Sequence, residues 1–169
     1  ATDLAGNVSA DSATTNITID RQPPSITSVG VPANGTYHAG QTLTFSVNFN
    51  EIIHIGLVPP PPSLPITIGG SSREASYVSG SGSSTLTFSY AVTSRDLDTD
   101  GIGIVGQLNI SGGALWDLAG NMALLNFNAV GNTSGVLVDG NSKAPNAPTF
   151  LSATPGDGQI TLTWNAPDD

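Results

Sequence analysis

The pentapeptide Asp-Leu-Ala-Gly-Asn stands twice in this 169-residue chain, at Asp3–Asn7 and, 114 residues further on, at Asp117–Asn121. Each copy leads to an alternating apolar run that ends in Asp: Ile17-Thr-Ile-Asp20 and Val136-Leu-Val-Asp139. Prolines follow both runs, Pro23-Pro24 in one case and Pro145 with Pro148 in the other. A closing sequence used twice marks the ends of two related units. The chain therefore reads as a window on a tandem array. Residues 1–20 are the last strand and linker of one repeat, residues 21–142 a complete repeat, and residues 143–169 the start of a further domain. Modules of such arrays work as spacers and binders.

Hydrophobic periodicity gives the fold class. Leu43, Phe45, Val47 and Phe49 alternate with polar residues, and Leu86, Phe88, Tyr90 and Val92 do the same. Period two puts one face on a core and the other in water, as in antiparallel sheets. Further strands are predicted over Ser25–Val31, Leu64–Ile68, Glu74–Val78, Ile102–Ile110 and Met122–Val130. Turn residues separate them, among them Pro32-Ala-Asn-Gly35, Gly69-Gly70 and Gly112-Gly113. Seven strands without an amphipathic helix predict an all-β, Ig-like antiparallel Greek-key β-sandwich. Leu57–Pro65 holds five prolines. Lacking N–H donors, they predict a stiff loop that leaves the sheet or follows its edge.

Charge narrows the partners. Thirteen acids face four Lys and Arg, a net charge of -9, and all but two of the acids are Asp. So few cations cannot release the counterions of a nucleic acid, so no nucleic-acid partner is expected. No apolar run reaches the length of a membrane span, so no membrane insertion is expected in this segment. The absence of cysteine excludes disulfides and thiolate metal sites. Asp is both a turn residue and a hard oxygen ligand for calcium.

Residues 24–139 resemble the bacterial Ig-like repeats of large surface adhesins. The similarity lies in Gly35-Thr-Tyr37-His-Ala-Gly40-Gln-Thr-Leu-Thr-Phe45, Phe49-Asn-Glu51, Ala75-Ser-Tyr77-Val-Ser-Gly-Ser-Gly82, Leu86-Thr-Phe88-Ser-Tyr90, Asp98-Thr-Asp100-Gly-Ile102 and Asp117-Leu-Ala-Gly-Asn121. The resemblance implies an extracellular, cell-surface module that is non-enzymatic and often stiffened by calcium, and that holds a binding domain away from the cell. The proline-rich loop departs from that pattern. From Ala147 to Pro167 the chain resembles the first two strands of a fibronectin type III domain, with Trp164 at the family's core tryptophan. Two strands cannot enclose a core, so this tail is expected to be loosely held.

Two constellations could hold calcium (Ca2+). Asp96, Asp98 and Asp100 alternate before Gly101, and with the carbonyl of Ile102 they form the opening of a calcium loop. Three clustered carboxylates repel without a counterion. Position 12 of the loop is Gln107 and no helix flanks it, which excludes an EF-hand. The alternative is an Asp-rich hairpin turn. The second constellation comes from topology. In a seven-strand sandwich the second-to-third and sixth-to-seventh connections lie where the chain enters, so Asp20, Glu51, Asp117 and Asn121 should converge at the junction with the preceding repeat. For Asp117–Asn121 the competing role is a turn whose Asp and Asn bond their own backbone, with Gly120 at positive φ.

Catalysis finds little in the sequence. His38 and His54 are far apart, and there is no nucleophile elbow or phosphate-binding loop. A hydrolase pair of Glu51 and Asp117 would need a deep cleft. The rival to a calcium-stabilised spacer is a carbohydrate-binding module of a secreted polysaccharide-degrading enzyme. Its stacking platform would be Trp116, since Tyr37 and Tyr77 fall in core or turn positions. Expected partners are the neighbouring Ig-like and fibronectin type III modules, with a glycan or protein ligand gripped elsewhere in the parent protein.

Overall fold

A computed structural model describes residues 2–8, 19–56, 60–141 and 149–165. Outside these lie Ile17 and Thr18 of the first apolar run, Leu57 to Pro59 of the proline stretch, the linker with Pro145 and Pro148, and the last four residues. The described residues are all β, without a helix. None of them forms a helix long and apolar enough to cross a membrane.

Strands β1 (Ile26–Gly30), β2 (Gly35–His38) and β3 (Thr42–Ile55) open the module. β4 (Ser63–Ile68), β5 (Ser71–Ser79) and β6 (Ser83–Ala91) form a meander. The two-residue β7 (Leu97–Asp98), β8 (Gly103–Ile104) and β9 (Leu115–Trp116) precede β10 (Val136–Asp139). The larger sheet runs β1-β3-β6-β5-β4-β8, antiparallel throughout, with β9 added to the far end of β3. It curls into a half-barrel. A small sheet, β2-β10-β7, closes it, and there β2 and β10 run parallel. The result is β-sandwich-like.

The core follows from alternation. On β3, Leu43, Phe45, Val47, Phe49, Ile53 and Ile55 are buried, on β6 Leu86 and Phe88, and on β4 Leu64, Ile66 and Ile68. Val136 and Val138 of β10 bring the small sheet's side chains to the same core. Fully burying each such side chain contributes roughly 1.5–3 kcal/mol. Tyr77 packs edge-on against Phe88, ring centroids 6.0 Å apart.

Two expected strands are much shorter than their sequences imply. Of Ile102–Ile110 only Gly103–Ile104 forms ladder, because Gly106 takes φ 73° and turns the chain. Met122–Val130 keeps its period of two, Ala123, Leu125 and Phe127 packing on the core while Met122 and Leu124 stay exposed. It pairs only through isolated bridges, to Trp116, Ser25, Gln107 and Val29. β2 had no periodic signal, since Gly-Thr-Tyr-His carries no alternation. Pro65 sits in β4, beyond which only the two-residue β8 remains, as a donorless residue requires.

Strands β11 (Thr149–Gly156) and β12 (Gln159–Asn165) form a separate antiparallel hairpin. Its described side chains are all exposed, including Leu151, Ile160, Leu162 and Trp164.

Candidate metal centre

Every second residue of β3 from Leu43 to Ile55 is buried except one. Glu51 occupies that inward position between Phe49 and Ile53 and is half-buried. Here β3 slips its register against β6, between Asn48 and Ile53. Beyond the slip β3 pairs with β9 instead, His54 opposite Trp116 and Ile55 opposite Leu115. That pairing delivers the residue after β9, Asp117, to the side of Glu51. Asp20 comes from the incoming chain. One carboxylate oxygen from each of Asp20, Glu51 and Asp117 lies within 4.8 Å of the others. Ligands sharing one calcium at about 2.3–2.6 Å are at most about 5 Å apart, so this set fits a common cation. Among the described residues no other His, Cys, Asp or Glu group of three or more does so.

Asp117, buried at 2% exposure, is held by its own turn. Its Oδ1 accepts from the Asn121 N–H at 2.8 Å and its Oδ2 from Asn121 Nδ2 at 2.7 Å. The Asp117 N–H returns a bond to the Asn121 carbonyl at 3.1 Å. Gly120 takes φ 91°, the left-handed region that a Cβ disfavours. Asn121 Nδ2 also reaches the Asp20 carbonyl at 3.3 Å, tying the incoming chain to the turn. The first copy of the pentapeptide is built alike. Asp3 Oδ1 accepts from the Asn7 N–H and Oδ2 from Asn7 Nδ2, both at 2.9 Å, and Gly6 takes φ 84°. Leu4 and Leu118 are both fully or almost fully exposed at the corner.

Glu51 and Asp117 titrate in opposite directions. Burial, then the neighbouring charges of Asp20 and Asp117, push Glu51 above its ordinary value. Burial pushes Asp117 upward as well, but the side-chain amide of Asn121 and the N–H groups of Asn121, Gly120 and Ala119 outweigh it and hold it low. The Glu51 carboxylate has one weak donor, Asn50 Nδ2 at 3.4 Å. Beside the cluster lies an open depression of about 640 Å³, lined by Asp20 and Glu51 together with Ile52, Leu118 and Ala119.

No protein-family model, no curated protein and no solved structure matches this chain.

The other Asp constellation is arranged differently. Asp96, 1% exposed, directs Oδ1 to Arg73, with Nε and Nη2 each at 2.8 Å. Its Oδ2 accepts from the Tyr90 hydroxyl at 2.8 Å, the Thr93 N–H at 2.8 Å and the Thr93 hydroxyl at 2.9 Å. Asp98 Oδ2 accepts from the Gly69 N–H at 2.6 Å, while Oδ1 caps the loop through the N–H groups of Gly101 at 2.8 Å and Asp100 at 3.3 Å. Asp100 is exposed, and the side chain of Ile102 is buried in the core. Asp96, at the end of the turn from Thr93, and Asp98, on β7, meet different donors, and Asp100 lies beyond the strand. The carboxylates do not gather around one point.

Trp116, the expected sugar platform, is half-buried. Its indole lies over Gly56, where any Cβ would collide with the ring. Tyr37 donates its hydroxyl to the Ala33 carbonyl at 2.9 Å, and the Tyr77 oxygen accepts from the Ser81 N–H at 3.0 Å. His54 lies opposite Trp116 on β3, while His38 ends β2 beside the Asp139 carbonyl.

Two features of the centre have a sequence signal beyond their residue type. Glu51 is the only charged residue in the inward phase of a seven-position apolar alternation. Asp117 follows Leu115 in the same phase. An acid where a core residue belongs is the mark of a buried or ligand-bearing carboxylate.

Proposed function

We propose that the chain is a non-enzymatic, calcium-stabilised structural and adhesive repeat of a large bacterial cell-surface or secreted protein. It acts as a spacer, with residues 21–142 as its complete Ig-like Greek-key module. The observation that carries this reading is the convergence of Asp20, from the incoming segment, on Glu51 and Asp117 of the module. A cation held there bonds to both sides of a module boundary and restrains their relative orientation. The repeated pentapeptide turn supports the array, since the same bonding recurs at Asp3–Asn7 and Asp117–Asn121. In this reading the calcium sits at the junction, and the Asp96–Ile102 loop is a structural turn. Extracellular placement follows from the resemblance and is part of the proposal.

The carbohydrate-binding alternative has less support. A sugar platform needs an exposed aromatic face, and Trp116 lies over Gly56.

Thermal unfolding of the whole chain in millimolar calcium, magnesium and chelator tests the proposal. Calcium should raise the transition of the module by several degrees and magnesium should not, because the smaller ion dehydrates reluctantly. An identical transition in calcium and chelator would overturn it.

A further inference from the structure

The last strand leaves the module through a fastened exit. β10 is held by β2 in parallel register from Val136 opposite Gly35 to Asp139 opposite His38, the only parallel pairing between strands among the described residues. β7 holds its other side through Asp98 and Leu97. One residue further on, the Gly140 N–H donates to the Asp96 carbonyl at 2.7 Å. A Cβ at position 140 would run into the carbonyl oxygens of Thr93 and Asp96, so only glycine makes this approach. Asp96 is not a free loop residue. Its carboxylate is fixed to Arg73 on β5 and to Tyr90 on β6. The outgoing chain is thereby joined to the middle of the larger sheet.

We infer that Asp96 is a latch that passes tension from the outgoing chain into the larger sheet, so that the β2–β10 pair is loaded in shear. The chain enters at the Asp20 end and leaves at Asp139, and β2 and β10 run parallel between these ends. Pulling the termini apart therefore loads their hydrogen bonds side by side, provided that the end of β10 cannot lift away. If it lifts, the bonds open one after another at low force. The Gly140–Asp96 bond lies where lifting would begin, and the Arg73 pair keeps Asp96 from following. This inference deepens the spacer reading and rests on it, but it does not depend on calcium.

The test is single-molecule pulling of the full 169-residue chain by its two termini, in chelator. The comparison is between Gly140→Ala, which blocks the latch, and Ile66→Ala on β4, with the equilibrium stability of each measured in parallel. Forced unfolding reads the unfolding barrier, so Gly140→Ala should lower the unfolding force about twofold more than Ile66→Ala at equal loss of stability. Should Gly140→Ala not fold, Asp96→Asn takes its place with the same expectation. Equal force losses at equal stability, or an unchanged force in the latch variant, would overturn the inference. A normal force loss with no calcium effect would leave the latch standing and remove only the calcium reading.

Discussion

Asp96 and Glu51 are carboxylates carried inward by the same module, and they differ in their donors. Asp96 has Arg73, Tyr90 and two groups of Thr93 around it. Glu51 has a long contact from Asn50 and two acids for neighbours. The distance between them is set by β3. Its first residue, Thr42, pairs with Ala91 near the exit, and nine residues later Glu51 reaches the entrance, about 30 Å away at ~3.3 Å per residue. Asp-rich sequence thus has two outcomes in one molecule. At the exit the charge is satisfied internally and fastens the fold. At the entrance Glu51 is left short of donors, which is the condition for binding an external cation.

The largest expected difference comes from removing one charge at each end. Arg73→Ala leaves Asp96 buried without its counterion and should cost about 3 kcal/mol, read from chemical denaturation. Glu51→Gln, in chelator at neutral pH, should change stability little and in the opposite direction, because it relieves repulsion. Similar losses from both variants would erase the distinction.

Calcium should separate the ends next. A hundredfold excess over Kd adds roughly 2.7 kcal/mol when only the folded state binds. Glu51→Gln and Asp20→Asn should each abolish most of the calcium shift, while Asp100→Asn should retain it. Loss of the shift in Asp100→Asn alone would move the ion to the exit loop.

The pentapeptide turns offer a smaller contrast. Asn121→Ala removes the side-chain bonds to Asp117 and Asp20 and should cost the module about 1–2 kcal/mol. Asn7→Ala, in the matching turn outside residues 21–142, should leave the module's transition where it was. Differential scanning calorimetry would show both.

The finest test is acid titration in chelator. Burial raises the Asp96 carboxyl, but the Thr93, Tyr90 and Arg73 bonds win and hold it below its ordinary 3.8. A depressed acid stabilises at neutral pH, and its contribution vanishes as pH falls below 3.8 through the folded value. Glu51 is raised above 4.5, so its sign is reversed: the protonated form is favoured, and its cost appears as pH rises through the raised value. Asp96→Asn should therefore flatten the acid limb of the stability curve, and Glu51→Gln the limb above it. Unchanged limbs in the two variants would mean that other carboxyls govern acid unfolding.

These contrasts also show what the sequence made legible. The long alternations of β3, β4 and β6 read directly, because two-sided strands repeat on a period of two. The entrance cluster was legible through topology: placing connections at the end where the chain enters was enough to group Asp20, Glu51, Asp117 and Asn121. The Asp96–Asp100 spacing reads two ways, because calcium loops and turns use the same residue for the same reason, a short side chain with hydrogen-bonding oxygens. What separates them is Arg73, 23 residues earlier on β5, and no local pattern reveals it. β2, β7 and β9 were hidden because they are held by partners distant in sequence and have too few residues to show a period.

The two tryptophans divide the molecule for the spectroscopist. Trp116 is half-buried over Gly56, next in sequence to Asp117 of the acidic cluster, whereas Trp164 lies on the exposed hairpin. An indole already in water has little further to shift when the chain unfolds. Emission from this protein therefore carries its own baseline at 164 and its signal at 116. Replacing Trp164 with phenylalanine would leave a single reporter beside the carboxylates, sensitive both to melting of the module and to an ion arriving next to it.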